Sequence, residues 1–157
     1  MLHDSRPRRP VAGNRIDLIG LPTDAGASCR GARLGPDGLR AAGLAERLAS
    51  IGYAVADRGD ITAAGKLSPA AEIDALSPLA SEAAYRSLDH GARPIFLGGD
   101  HSISMGSIAG VARHCRDNHR PLFVLWFDAH GDFNTWTTTE TGNIHGMALA
   151  RLCGEPG

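Results

Sequence analysis

Three short polar runs in this 157-residue chain carry side chains able to do chemistry together. Asp128-Ala129-His130-Gly131-Asp132 sets two carboxylates and an imidazole at alternate positions, and Gly98-Gly99-Asp100-His101-Ser102 adds a second histidine beside an acid. The third run, Thr141-Gly142-Asn143-Ile144-His145-Gly146, follows Asn134 and Thr137-Thr138-Thr139 and combines hydroxyls, an amide and an imidazole with glycines that let backbone approach a ligand. On an extended segment residues two apart point the same way, so Asp128, His130 and Asp132 are predicted to converge on one point. Desolvated carboxylates that close repel one another unless a cation neutralises them, which makes a metal the natural occupant. Carboxylates with some imidazole and no thiolate suit hard divalent ions, manganese ahead of structural zinc. A carboxylate can bridge two such ions, and the pair can bring the pKa of a shared water toward neutrality, supplying a hydroxide without a Ser, Cys or Lys nucleophile. His145 beside such a centre could move protons at physiological pH. Taken singly the runs have ordinary readings, Asp128 and Asp132 as turn formers and His145 as a helix-start histidine; their coincidence is what points to a site.

These runs need strands to present them. From Arg15 to Asp128 short apolar stretches alternate with helical ones, the pattern of repeated βα units around a parallel sheet. Arg15 to Ile19 reads as the first strand. Gly35-Pro36 opens a helix, with proline at the first turn where its missing N–H costs nothing, and Leu39, Ala42, Gly43, Leu44 and Leu48 form its buried stripe. Tyr53 to Ala56 is the second strand, ending in Asp57-Arg58-Gly59-Asp60. Ser68-Pro69 starts the second helix, with Ile73, Leu76, Leu79, Ala80, Ala83 and Ala84 at helical spacing and Gly91 placed to end it. Pro94 to Leu97 is the third strand and Ser102 to about Cys115 the third helix. Leu122 to Phe127, apolar on both faces, is predicted to be the central strand and spine of the sheet. The first two polar runs then follow directly on strands, at the carboxyl ends where open α/β sheets bind ligands.

Composition narrows the partners. A formal net charge of −1 gives no overall positive field to draw nucleic acid or anionic lipid, so a small molecule is expected. No apolar run approaches the roughly 18 residues a membrane span needs, and a soluble chain is expected. Cys29, Cys115 and Cys153 are odd in number and lack C-x-x-C spacing, which reads as reduced thiols in the cytoplasm. Residues 1–14, with Arg6, Arg8, Arg9 and two prolines but no apolar core, are expected to be a disordered basic tail rather than a signal. Residues 15–157 read as one domain without internal repeats. A helix beginning near His145 is followed within a few residues by Gly157, whereas a doubly wound fold returns to the sheet, so the chain is expected to be the N-terminal part of a longer domain.

In order and spacing, G-G-D-H-S at 98–102, D-A-H-G-D-F-N at 128–134 and G-N-I-H-G at 142–146 closely resemble the arginases of the ureohydrolase family. Gly26 to Gly31, Gly35-Pro36, Leu39-Arg40 and Gly59-Asp60 extend the likeness to nearly the whole chain from Ile16 onward. The resemblance implies a three-layer α/β/α fold with a mostly parallel sheet whose C-terminal strands are missing here. It implies two Mn²⁺ ions in a complete member and at most partial sites in this chain. His101, Asp128 and Asp132 would hold the first ion, with His130 and a bridging Asp128 on the second. Asn134 and Thr141, the latter where many arginases have serine, would contact the amino-acid end of the substrate, and His145 would act in proton transfer. The implied reaction is hydrolysis of L-arginine to L-ornithine and urea, by attack of a metal-bridging hydroxide on the guanidinium carbon. Trimeric or hexameric assembly is common in the family. Met147-Ala148-Leu149 stands where an agmatinase would have Thr-x-Phe, favouring arginine over agmatine or another guanidino substrate. The later Asp-x-Asp pair and the later acid that complete the family's site have no counterpart in Glu155-Pro156-Gly157, which leaves a non-catalytic metal-binding or interaction module as the alternative. A receiver-like signalling domain is a third reading, supported by fold analogy alone.

Overall fold

In the computed structural model, which describes residues 13–155, a parallel sheet of three strands lies in the order β2-β1-β3. The strands are β1 (Arg15–Leu21), β2 (Ala54–Asp60) and β3 (Ala92–Gly98). β1 is in the middle, paired with Ala54 to Asp60 on one side and Ala92 to Gly98 on the other. Its side chains alternate as a strand with two covered faces requires. Ile16 and Leu18 join Leu97 in a cluster with Leu44, Leu48 and Tyr53, whereas Leu21 packs with Leu76 and Ala80 on the opposite face. Helices therefore cover both faces, as expected of a three-layer α/β/α domain.

The helix opened by Gly35-Pro36 differs from expectation. It is two helices, α1 (Gly35–Ala41) and α2 (Leu44–Ser50), broken at Gly43, whose φ of 77° lies in the left-handed region that an α-helix cannot use. The break turns Leu39 out, 43% exposed, while Leu44 and Leu48 still face the sheet. The second helix, α3 (Pro69–Asp89), begins as predicted: the Ser68 hydroxyl accepts the Ala71 N–H, and Pro69 occupies the first turn. Ile73, Leu76, Ala80 and Ala84 are buried, but Leu79 faces outward. Gly91, at φ 74°, lets the chain leave α3 for β3. The next helix, α4 (Ile103–Asp117), packs on α3, and the short α5 (Ala148–Leu152) follows a 3₁₀ turn at Ile144–Met147.

The predicted spine is the largest correction. Leu122 to Phe127 forms no strand among the described residues, and Phe123, Leu125 and Phe127 are 86%, 79% and 92% exposed. A strand is held by its ladder bonds, and a parallel strand buried on both faces needs neighbours and covering helices that nothing in the described residues supplies to this run. β1 is the spine instead. The predicted basic tail lies almost wholly outside the described residues. No helix among the described residues is long and apolar enough to cross a membrane.

Candidate metal centre

The three polar runs meet at the carboxyl end of β3. His101 follows β3 at the start of α4, held in a turn where Asp100 Oδ1 accepts the Ser102 N–H at 3.0 Å and the His101 carbonyl accepts the Ser104 N–H at 3.1 Å. The His101 ring stacks on Trp126, with centroids 4.6 Å apart and planes at 29°. Trp126 is the one half-buried side chain of its exposed run, and through this contact the run reaches the site.

Asp128 and Asp132 bring carboxylates to the same imidazole. His101 Nδ1 lies 2.8 Å from Asp128 Oδ2 and 2.6 Å from Asp132 Oδ2. One ligand atom from each of the three residues lies within 4.8 Å of the others. The expected reason for this convergence is wrong in detail. The segment is not extended: Asp128 Oδ1 accepts the backbone N–H of His130 at 2.9 Å, bending the chain, and Asp132 sits at φ 46°. Aspartate tolerates that conformation better than most residues, at a cost of about 1 kcal/mol. The bend aims Asp128 and Asp132 at one point and sends His130 elsewhere. His130 is 83% exposed at the rim, its Nδ1 3.4 Å from Asp128 Oδ1, and it stands outside the three-residue cluster.

The strained turn at Asp132 is anchored from behind. Its carbonyl accepts the N–H groups of Leu149 and Ala150 at 2.9 and 3.3 Å, at the start of α5, and Asn134 N–H donates to the Gly146 carbonyl at 3.1 Å. Ile144, Met147, Ala148 and Ala150 are buried, which fixes the third run beside the second. The three runs line an open cleft of about 630 Å³ that also holds Asn134, Thr141 and His145. Thr141 Oγ1 accepts the Asn143 N–H, and the Asn134 amide oxygen accepts from the Thr138 hydroxyl.

Two features bear on whether a metal fits. The backbone N–H of His130, then the positive field of His101 at its other oxygen, hold the Asp128 carboxyl below its usual range, so it is a carboxylate at neutral pH. Asp132 Oδ2 is buried, and although His101 Nδ1 is 2.6 Å away no donor is aligned with it as a hydrogen bond. A buried carboxylate oxygen without an aligned donor costs roughly 1–3 kcal/mol or more, a cost that a cation between the imidazole and the two carboxylates would relieve. The donor set, one nitrogen and carboxylate oxygens, is that of a hard divalent ion.

Two parts of the architecture carried no assigned role in the sequence reading. Asp24, buried, accepts the Gly31 N–H at 3.0 Å and an Arg30 N–H at 2.8 Å and shapes the 24–31 loop behind the cleft. The Gly31 N–H, then Arg30, hold its carboxyl below the usual range. Asp100 links that loop to the site. Asp24 lies two residues before Gly26 and Asp100 directly after Gly99, an available signal of acids in glycine-rich turns, but local sequence does not say which distant amide such an acid will meet.

The family model for the arginase family matches residues 14–157, and the chain belongs to that family. Arginase of Brucella suis is 41% identical over 150 residues, a span covering 89% of this chain and 48% of the relative. A crystal structure of arginase from Bacillus subtilis superposes with a TM-score of 0.79 at 41% identity, over 89% of this chain and 47% of that one. An arginase of Entamoeba histolytica in complex with L-ornithine gives 0.80 at 30% identity, over 90% and 50%. The chain thus spans about half the length of the relatives it matches.

Proposed function

We propose that this chain carries the manganese-binding and amino-acid-binding portion of an L-arginine hydrolase. The observation that carries the reading is the meeting of His101, from the turn after β3, with Asp128 and Asp132, from the bend after the Leu122–Phe127 run, around a buried carboxylate oxygen with no aligned donor. His101, Asp128 and Asp132 would hold one Mn²⁺, and His130 at the rim, beside Asp128, would serve a second. Bound manganese supplies Lewis acidity and a water made acidic enough to ionise near neutral pH.

The chain's own residues would do the rest. Asn134 and Thr141, both lining the cleft, would offer an amide and a hydroxyl to the α-carboxylate and α-amino group of the amino acid. His145, which lines the same cleft, would carry a proton to the departing amine. The ornithine named with the Entamoeba protein supports an amino-acid ligand for this cleft. Agmatine lacks the α-carboxylate, so the Mn²⁺-loaded chain should bind L-arginine at least about tenfold more tightly, the worth of one or two charge-assisted hydrogen bonds. Equal or tighter binding of agmatine in calorimetry would sink the substrate assignment. One observation favours a second reading, a metal-holding chain without turnover: the cleft is open, and among the described residues it offers one imidazole–carboxylate cluster where two ions need more ligands. Urea release from L-arginine by this chain with Mn²⁺ separates the two readings.

A further inference from the structure

The buried acid of the Gly98-Gly99-Asp100-His101-Ser102 run is Asp100, 6% exposed, and its two oxygens do different things. Oδ1 accepts the Ser102 N–H at 3.0 Å and closes the turn that presents His101. Oδ2 accepts the Gly26 N–H at 2.7 Å, a residue 74 positions away. The Gly26 carbonyl accepts in turn the N–H of His145, at 3.2 Å. A single carboxylate is therefore connected through one residue, Gly26, to His145 on one side and through one turn to His101 on the other. The junction is tight: a Cβ on Gly26 would stand 2.6 Å from Asp100 Oδ1 and 3.1 Å from both the His145 nitrogen and Ser102 Cβ. Only glycine lets these three pieces of chain meet.

We propose that Asp100 is a positioning residue that sets the placement of His145 relative to His101 in the cleft, acting through Gly26. The inference rests on the roles proposed above for His101 and His145. Hydrogen bonds from backbone N–H to a buried carboxylate are among the stronger ones in proteins, and a reacting group displaced by about 1 Å can lose about 100-fold in rate, so such a link has leverage on chemistry.

Asp100→Asn separates the two contacts. Its one oxygen can keep the Ser102 turn, which is local, and its amide NH₂ then faces the Gly26 N–H, donor against donor. Amide hydrogen exchange on the metal-free chain should show protection of Gly26 and His145 falling at least about tenfold, with Ser102, Leu18 and Leu97 held within about threefold. The ring resonances of His145 should move while those of His90 and His114 stay. Gly26→Ala, with Asp100 intact, should loosen the His145 amide in the same way. Unchanged protection at His145 in either variant overturns the proposal. So does loss at Leu18 and Leu97 together with His145, which would make Asp100 a general support of the fold. Failure of the unsubstituted chain to bind Mn²⁺ would remove the metal reading while the amide pattern, read without metal, still stood or fell by itself.

Discussion

β1 carries Arg15, Asp17 and Gly20 among its apolar residues and the Leu122–Phe127 run is wholly apolar, yet β1 is the most buried of the described strands and the more apolar run is among the most exposed segments. The difference lies in partners. β1 has a ladder on each side and a helix on each face, so Leu18 and Leu21 are fully buried. The later run has neither, and only Trp126, through its stack on His101, turns inward. Function follows the same division. His101 hangs from the end of paired β3, whereas Asp128, His130 and Asp132 follow the unpaired run and owe their placement to a local bend and to backbone bonds from Leu149 and Ala150.

The largest expected effect is on the packed side. Leu18→Ala should cost about 3 kcal/mol in urea unfolding, the size of a buried leucine truncation in a site that cannot collapse. A cost under about 1 kcal/mol would mean that β1 is not the spine.

Trp126→Ala tests the side chain by which the exposed run packs on His101 and on the Ala25, Ile73, Met105, Ile144 and Ala148 cluster, and should cost about 1–2 kcal/mol, from ring stacking and partial burial. It should also weaken Mn²⁺ binding, because the His101 imidazole loses the surface that orients it. Unchanged metal affinity would show that the turn alone orients His101.

Asp24 supplies a pH test behind the cleft. Its carboxyl titrates below the ordinary 3.8 in the folded chain, so its contribution is present in full above that value and is lost as pH falls through the folded one. The stability difference between the wild type and Asp24→Asn should be constant near neutrality and shrink as pH falls below about 4. A gap that widens on acidification would reverse the sign and refute the Gly31 and Arg30 contacts as its cause.

The smallest effect belongs to the exposed run. Phe127→Ser should change unfolding free energy by less than about 0.5 kcal/mol and reduce self-association seen by light scattering. A loss comparable to that of Leu18→Ala would place Phe127 in a core.

Much of this was legible in the sequence. Pro36, Pro69, Ser68 and Gly91 marked helix ends, and short apolar stretches between the helical ones marked β1 and β3, because these signals are local. The three polar runs were legible as one site because each sits at the end of an apolar stretch or at a helix start. What failed was non-local or depended on one dihedral. Gly43 reads as part of a helical stripe until its φ of 77° breaks the helix, and an apolar run reads as a central strand whether or not neighbours exist to pair with it. His130 fits an alternation that the Asp128–His130 turn removes.

Mn²⁺ titration of the unsubstituted chain and of Asp132→Ala, followed by electron paramagnetic resonance of free ion, tests the central claim most directly. The account predicts saturable binding by the unsubstituted chain and a loss of at least about tenfold in affinity in Asp132→Ala, with the metal-free variant destabilised by no more than about 1–2 kcal/mol, because removal of a buried oxygen without an aligned donor offsets part of the cost of alanine at the φ of 46° that Asp132 adopts. Absence of saturable binding, or binding that the substitution leaves untouched, would contradict it.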